Sequence, residues 1–308
     1  MPTKIVIIGA GEIGQALALV LKSKKVVIEM WDRDLSRVPK QKPLEEIIPT
    51  ADYVFLCVPS QAVRLAVLSF KNLLAKKTGV ICLSKGVELK TQKIMPEVLQ
   101  EVLSVGQPVA MMGGPMLAEE LRQGKPGVSV LATKNPKAFQ ELVRLFSGTL
   151  VRLELTNDVV GTAWSGVLKN VFAMALGMVD GLGWGANAQA WLLGECLTEM
   201  EQIAVMMGGK TNTVCYTAGL SDLVATGFSP YSKNRETGRI IVQTQKCCVG
   251  GLVRHSPRDG GEGAISFPAI WKKLGAKGKS FPILNILYRV LIKHQDAKKL
   301  FANHFRQA

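Results

Sequence analysis

The stretch from Lys4 to Trp31 leaves a chain few folding options. Four apolar residues, Ile5-Val6-Ile7-Ile8, run straight into Gly9-Ala10-Gly11-Glu12-Ile13-Gly14, and the alanine- and leucine-rich Ala16-Leu17-Ala18-Leu19 follows. A buried strand that passes into a helix through so short a turn uses glycine for three separate reasons. Gly9 permits the tight turn, Gly11 lets the backbone approach a pyrophosphate, and Gly14 lets the helix lie close on the strand. In a chain with 30 glycines the spacing alone is a chance match; the strand before it and the helix after it make it specific. The helix N-terminus then offers N–H groups and the positive end of its dipole to phosphates. The expectation is a dinucleotide site holding a nicotinamide cofactor. Asp32, at the end of the second strand, stands where a carboxylate bonds the ribose 2′-hydroxyl of NAD, and Arg33 beside it suits the 2′-phosphate of NADP. The two pull in opposite directions. The balance leans to NAD, with ordinary solvated-turn roles open for both.

The rest of the first half repeats the alternation of short apolar runs and helical stretches that makes a doubly wound α/β sheet. Strands are expected at Lys4–Ile8, Val26–Trp31, Tyr53–Val58, Val80–Leu83, Val109–Met112, Val128–Ala132 and Val151–Glu154, in the pattern of a parallel sheet. Helices are expected at Glu12–Lys22, Gln61–Leu74 and Lys137–Phe146. From Asp158 onward the strand signal stops and helical patterns follow. The expected organisation is a Rossmann-type domain over residues 1–156 and a mostly α-helical domain over 157–308, with a glycine-rich loop from Gln243 to Gly263.

Composition narrows the classes. A hydrophobic share of 47% with 20% charged residues excludes a disordered chain. The most apolar stretch, Gly161 to Trp184, carries Lys169, Asn170 and Asp180, so a buried helix is expected there rather than a membrane span. The first strand begins too early to leave room for a signal peptide, which points to the cytoplasm. Cys57 and Cys82 lie in strand-like runs, Cys196 in a helical one, and Cys247 and Cys248 are adjacent. No C-x-x-C spacing or cysteine–histidine grouping suggests a metal, so buried free thiols are expected. The net charge of +14 is spread along the chain without a basic run, which argues against nucleic-acid binding and for a solvated surface that also steers anionic ligands.

Further phrases follow in order: Val58-Pro59-Ser60-Gln61-Ala62-Val63-Arg64, Ser84-Lys85-Gly86-Val87-Glu88, Gly113-Gly114-Pro115-Met116-Leu117-Ala118-Glu119-Glu120, Asp158-Val159-Val160-Gly161, Leu168-Lys169-Asn170-Val171, Asp180-Gly181-Leu182-Gly183, Asn187-Ala188, Ser221-Asp222-Leu223, Ser232-Lys233-Asn234-Arg235 and Gly261-Glu262-Gly263. Over nearly its full length the chain resembles bacterial NAD(P)-dependent glycerol-3-phosphate dehydrogenases. That resemblance implies reversible reduction of dihydroxyacetone phosphate to sn-glycerol 3-phosphate, a precursor of phospholipids, by a cytoplasmic homodimer.

The chemistry of the residues agrees. Oxidising a secondary alcohol needs a base beside the carbon that gives up hydride. The histidines are His255, His294 and His304, and the last two fall in a terminal helical stretch. Lys169 is the better base: it lies in an apolar helix with Gly166, Ala173 and Gly177 on its face, small neighbours that leave room for substrate, and desolvation lowers a lysine's pKa. By resemblance Lys169 is the proton acceptor, Lys85 touches substrate and cofactor, and Asp222 either orients a substrate hydroxyl or holds Lys169. Ser232, Lys233 and Asn234 match the family's phosphate-binding phrase, with Lys233 also facing the cofactor. Gly114 matches a backbone contact to substrate, and Pro59, Ala118 and Glu262 match cofactor contacts.

Four features depart from the family pattern. Lys233 replaces arginine, Met116 replaces serine or threonine, and Glu12-Ile13 occupies cofactor-facing positions that usually carry serine and an aromatic residue. The loop Leu35–Thr50 is also shorter. A relative acting on another hydroxy acid or sugar, of 6-phosphogluconate or ketopantoate type, is the alternative enzyme; a non-catalytic nucleotide-binding protein is the alternative from another class.

Overall fold

The computed structural model describes residues 2–22, 24–244 and 261–307. By packing, the chain divides into two compact units: Met1–Lys85 with Lys93–Ala163, and Gly86–Gln92 with Trp164–Ala308.

The first unit is built on seven strands, β1 (Thr3–Ile8), β2 (Val26–Trp31), β3 (Tyr53–Leu56), β4 (Gly79–Cys82), β5 (Val109–Gly113), β6 (Gly127–Thr133) and β7 (Val151–Thr156). They lie in the order β2-β1-β3-β4-β5-β6-β7. The chain leaves β1 for β2 on one side and reaches β3 on the other, so the sheet reverses direction beside β1. In open α/β sheets that switch point opens a crevice at the carboxyl ends of the strands. β1 pairs with β2 from Thr3↔Val26 to Ile8↔Trp31 and with β3 from Ile5↔Tyr53 to Ile8↔Leu56, all parallel. Successive residues of β1, β3 and β4 are buried, as strands covered on both faces require. Ile5, Ile7, Phe55, Ile81 and Leu131 form one core with Ala16, Leu17 and Leu21 of α1 (Glu12–Leu21) and Leu142 and Phe146 of α6 (Gln140–Phe146). The remaining helices of this unit are α2 (Leu44–Ile47), α3 (Val63–Phe70), α4 (Met95–Val102) and α5 (Ala118–Arg122).

One feature of the sheet differs from the expected parallel pattern. β6 runs antiparallel to β5, from Ala110↔Thr133 to Gly113↔Val130, and β7 then runs parallel to β6. The connection from β5 to β6 carries only the five-residue α5. So short a helix does not take the chain back along the sheet, and a parallel partner needs such a return.

The second unit is helical among its described residues. α7 (Val159–Gly181) enters it from the first unit, followed by α8 (Ala186–Met206), α9 (Thr211–Val214), α10 (Asp222–Phe228), α11 (Lys233–Thr244), α12 (Glu262–Leu274), α13 (Pro282–Leu291) and α14 (Ala297–Gln307). α7 is apolar and long enough to cross a membrane, but 89% of its most apolar window is buried inside the protein, the expected core helix. It packs against α11 through glycine: a Cβ at Gly177 would lie 2.0 Å from the Arg235 carbonyl oxygen, and one at Gly238 2.1 Å from that of Met174. Glu199 on α8 accepts hydrogen bonds from the backbone N–H groups of Ile283 and Leu284, capping the start of α13. The segment Gly86–Gln92 is fixed in this unit by Val87 N–H donating to Ser266 Oγ (3.1 Å) and by Lys273 Nζ donating to the Gln92 carbonyl (3.0 Å).

Cys57, Cys82 and Cys196 are buried free thiols. Cys247, Cys248, His255 and most of the loop expected at Gln243–Gly263 lie outside the described residues, although Gln243 and Thr244 end α11 and Glu262 begins α12. His294 lies outside the expected helix, in the segment between α13 and α14, with φ +55°.

Candidate active site

In the first unit the three glycines of the turn prove unequal. Gly9 has φ +102°, and a Cβ there would lie 2.6 Å from the Cys57 carbonyl oxygen. A Cβ at Gly14 would fall 2.1 Å from the Gly9 carbonyl oxygen. Both are demanded by the protein's own packing. Gly11 is not: its nearest neighbour would be Arg37 Nη1 at an ordinary 3.6 Å. Space is kept at Gly11 that the fold does not need, at the N-terminus of α1, where no side chain caps the helix. This cradle fits the pyrophosphate of a dinucleotide.

The surrounding residues are positioned by the strand ends. Asp32 follows β2 and is buried; its Oδ2 accepts from Ala10 N–H at 2.8 Å and its Oδ1 from Asp34 N–H at 2.9 Å. The carboxylate expected to face a ribose thus also ties the glycine turn to the loop after β2. Arg33 is exposed next to it. Pro59 follows β3 at the switch point and starts a 3-10 turn leading into α3. Glu12 opens α1, where a carboxylate complements the helix dipole, and Ile13 packs against the sheet core. Lys85, just beyond β4, donates from Nζ to the Gly114 carbonyl at 2.9 Å; Gly114 follows β5 with φ +95°. Ala118 begins α5, and Met116 packs against the sheet core.

In the second unit a different kind of site forms. Lys169 on α7 is only 7% exposed, and its Nζ lies 2.9 Å from Oδ1 of Asp222, itself 2% exposed at the start of α10. The same ammonium donates to Thr226 Oγ1 at 2.6 Å, one helical turn beyond Asp222. A buried ammonium is therefore matched by a carboxylate and a hydroxyl, as burial of a charge requires. The next residue, Asn170, accepts at Oδ1 from Asn234 Nδ2 (2.9 Å), and Asn234 Oδ1 accepts from Gly263 N–H (2.9 Å). A Cβ at Gly261 or Gly263 would collide with Asn234 Oδ1 or the Asn170 carbonyl, at 2.1 and 2.4 Å. That explains both glycines of Gly261-Glu262-Gly263, and it sets Glu262 beside this network. Ser232 is buried, with its Oγ accepting from Arg235 N–H at 3.2 Å, while Lys233 is exposed at the first position of α11. Arg235 and Arg239 both close on Asp180 Oδ2, at 2.7 and 3.2 Å.

Lys169, Asp222, Ser232, Asn234 and Glu262 thus belong to the second unit, while the glycine turn, Asp32, Pro59, Lys85, Gly114 and Ala118 belong to the first. One expectation is corrected. Gly177 does not leave room for substrate beside Lys169; its missing side chain is filled by the Arg235 carbonyl. Thr226 was missed, although its place four residues after Asp222 puts both on one helical face. Arg37 and Asp180 were missed as well, because their partners are distant in sequence or lie across a loop.

Both halves of the chain match known proteins. Residues 35–139 match the model for the NAD-dependent glycerol-3-phosphate dehydrogenase N-terminus, and residues 158–302 match that for the C-terminus. A glycerol-3-phosphate dehydrogenase (NAD(P)+) of Clostridium botulinum is 30% identical over 96% of this chain and 95% of its own. One from Anaeromyxobacter dehalogenans is 33% identical over 92% of each. The crystal structure of glycerol-3-phosphate dehydrogenase from Coxiella burnetii covers 99% of both chains with a TM-score of 0.85 at 26% identity. The chain belongs to the NAD-dependent glycerol-3-phosphate dehydrogenase family.

Proposed function

We propose that this chain is an NAD(P)-dependent glycerol-3-phosphate dehydrogenase that interconverts dihydroxyacetone phosphate and sn-glycerol 3-phosphate. The observation that carries the reading is the buried Lys169–Asp222–Thr226 cluster in a chain whose glycine turn keeps room for a dinucleotide. Residues 1–156 carry most of the cofactor contacts and residues 157–308 most of the substrate contacts. Bound NAD or NADP supplies or takes the hydride.

The proton is this chain's own task. In reduction the Lys169 ammonium gives a proton to the ketone oxygen; in oxidation the amine takes the hydroxyl proton. Asp222 keeps the ammonium form matched in a site that excludes water, and Thr226 fixes the direction of Nζ. Ser232, Lys233 and the N-terminus of α11 hold the substrate phosphate. Both polar atoms of Asn234 are already engaged, which leaves one Nδ2 hydrogen for the ligand. Lys85 polarises the carbonyl, and the Gly9–Gly14 turn with Asp32, Pro59, Ala118 and Glu262 orients the cofactor. The product is a lipid backbone, so the enzyme supplies phospholipid synthesis, acting as a cytoplasmic homodimer.

The test is loss of NADH absorbance with dihydroxyacetone phosphate, repeated with Lys169→Ala. Turnover by the wild type and its near-abolition in the variant is expected. Undiminished turnover in the variant would remove the proton role from Lys169. Light scattering should give twice the chain mass.

A further inference from the structure

We infer that Arg37, rather than Arg33, recognises the 2′-phosphate of NADP, and that Asp32 and Asp34 hold its guanidinium in reserve so that NAD is also accepted. This rests on the dinucleotide reading of the glycine turn given above. Arg37 lies in the loop after β2, its backbone N–H donating to the Asp34 carbonyl at 3.0 Å. Its side chain folds back over the turn. Nη1 is 3.6 Å from Asp32 Oδ2 and 3.6 Å from where a Cβ on Gly11 would be, and Nε is 3.6 Å from Asp34 Oδ2. The guanidinium therefore stands at the lip of the one position in the turn whose open space the fold does not use.

The two carboxylates it faces are not equal to a phosphate in their demand for it. Asp32 already accepts two backbone N–H groups, and Asp34 Oδ1 accepts from the N–H and hydroxyl of Ser36. Both contacts to Arg37 are longer than a hydrogen bond, and its side chain is 35% exposed. Loose, solvated pairing of this kind is weak. A dianionic phosphate offers a guanidinium two parallel, charge-assisted hydrogen bonds, the geometry arginine favours. Without that phosphate, Arg37 stays over Asp32 and the carboxylate remains beside the ribose hydroxyls. The short loop after β2 thus serves both cofactors with one movable side chain.

The experiment compares calorimetric binding of adenosine 2′,5′-bisphosphate with that of 5′-AMP, alongside kcat/KM for NADPH and NADH. The wild type should bind the bisphosphate more tightly. Arg37→Ala should lose about tenfold to hundredfold for the bisphosphate and for NADPH, with less than about threefold change for AMP and NADH. An equal loss with both nucleotides would reduce Arg37 to a support of the turn and overturn the proposal, as would a selective loss in Arg33→Ala with Arg37→Ala unchanged. A wild type that binds the bisphosphate selectively through Arg37 but turns over no dihydroxyacetone phosphate would sustain this inference while removing the proposed reaction.

Discussion

The glycine turn of the first unit and the lysine cluster of the second, the two parts of the proposed site, are built by opposite means. The turn works through backbone: N–H groups at the start of α1, shape enforced at Gly9 and Gly14, and space left at Gly11. The cluster works through side chains buried in pairs, Lys169 with Asp222 and Thr226, Asn170 with Asn234. Backbone sites tolerate almost any neighbouring side chain but no added methyl group where chain meets chain. Side-chain sites tolerate small shape changes but no lost partner, because an unmatched buried charge is costly.

The largest effect should come from removing a partner. Lys169→Ala is expected to lower kcat by about 10²- to 10⁴-fold, measured by steady-state turnover, and by removing the cation beside the buried Asp222 carboxylate it should also lower the urea midpoint. A normal midpoint would break the contrast by showing that the buried carboxylate does not depend on the ammonium. Next come two glycines of one turn. Gly14→Ala should cost about 3 kcal/mol of stability through its collision with the Gly9 carbonyl. Gly11→Ala should leave stability within about 0.5 kcal/mol yet raise the cofactor KM about tenfold. Equal destabilisation by both, in thermal melts, would mean that the turn is purely structural. Thr226→Val should lower kcat about threefold to thirtyfold while barely changing KM, through loss of one hydrogen bond to a charged group.

The smallest expected effect concerns pH. Burial raises the Glu199 carboxyl to about 7 although two backbone N–H groups oppose the shift. A folded pKa above the unfolded one means that the folded state binds the proton more tightly. Its contribution is full below the unfolded value near 4.5 and is lost as pH rises through about 7. Denaturant melts should lose about 1 kcal/mol between pH 6 and 8 in the wild type and not in Glu199→Gln. That sensitivity belongs to the helical unit, where buried carboxylates do structural work at a helix start.

The same contrast explains what could be read in advance. The seven strands and the glycine turn were legible because each is written in consecutive residues, as apolar runs and fixed spacings. The reversed β6 was not, since direction depends on the length of α5 rather than on the strand's own pattern. Lys169 stood out as a cation in an apolar helix, but its Thr226 partner required knowing that α10 begins at Asp222. Small residues on the Lys169 face looked like substrate space; Gly177 is filled by α11, a fact held in residues 58 positions away. The role inferred for Arg37 depends on a loop that folds back on a turn, and no periodicity records that.

The glycine seam between α7 and α11 has a consequence for how such an enzyme can change. Gly177 and Gly238 press the helix carrying Lys169 against the backbone that follows Ser232 and Lys233, with no side chain between them. On the roles proposed above for Lys169, Ser232 and Lys233, the span from proton donor to phosphate grip is therefore a ruler made of main chain. Surface substitutions do not alter its length, and lengthening it for a larger substrate requires the glycines to change together. On those roles, single substitutions of side chains retune affinity one at a time, while the length of molecule accepted is inherited as a block.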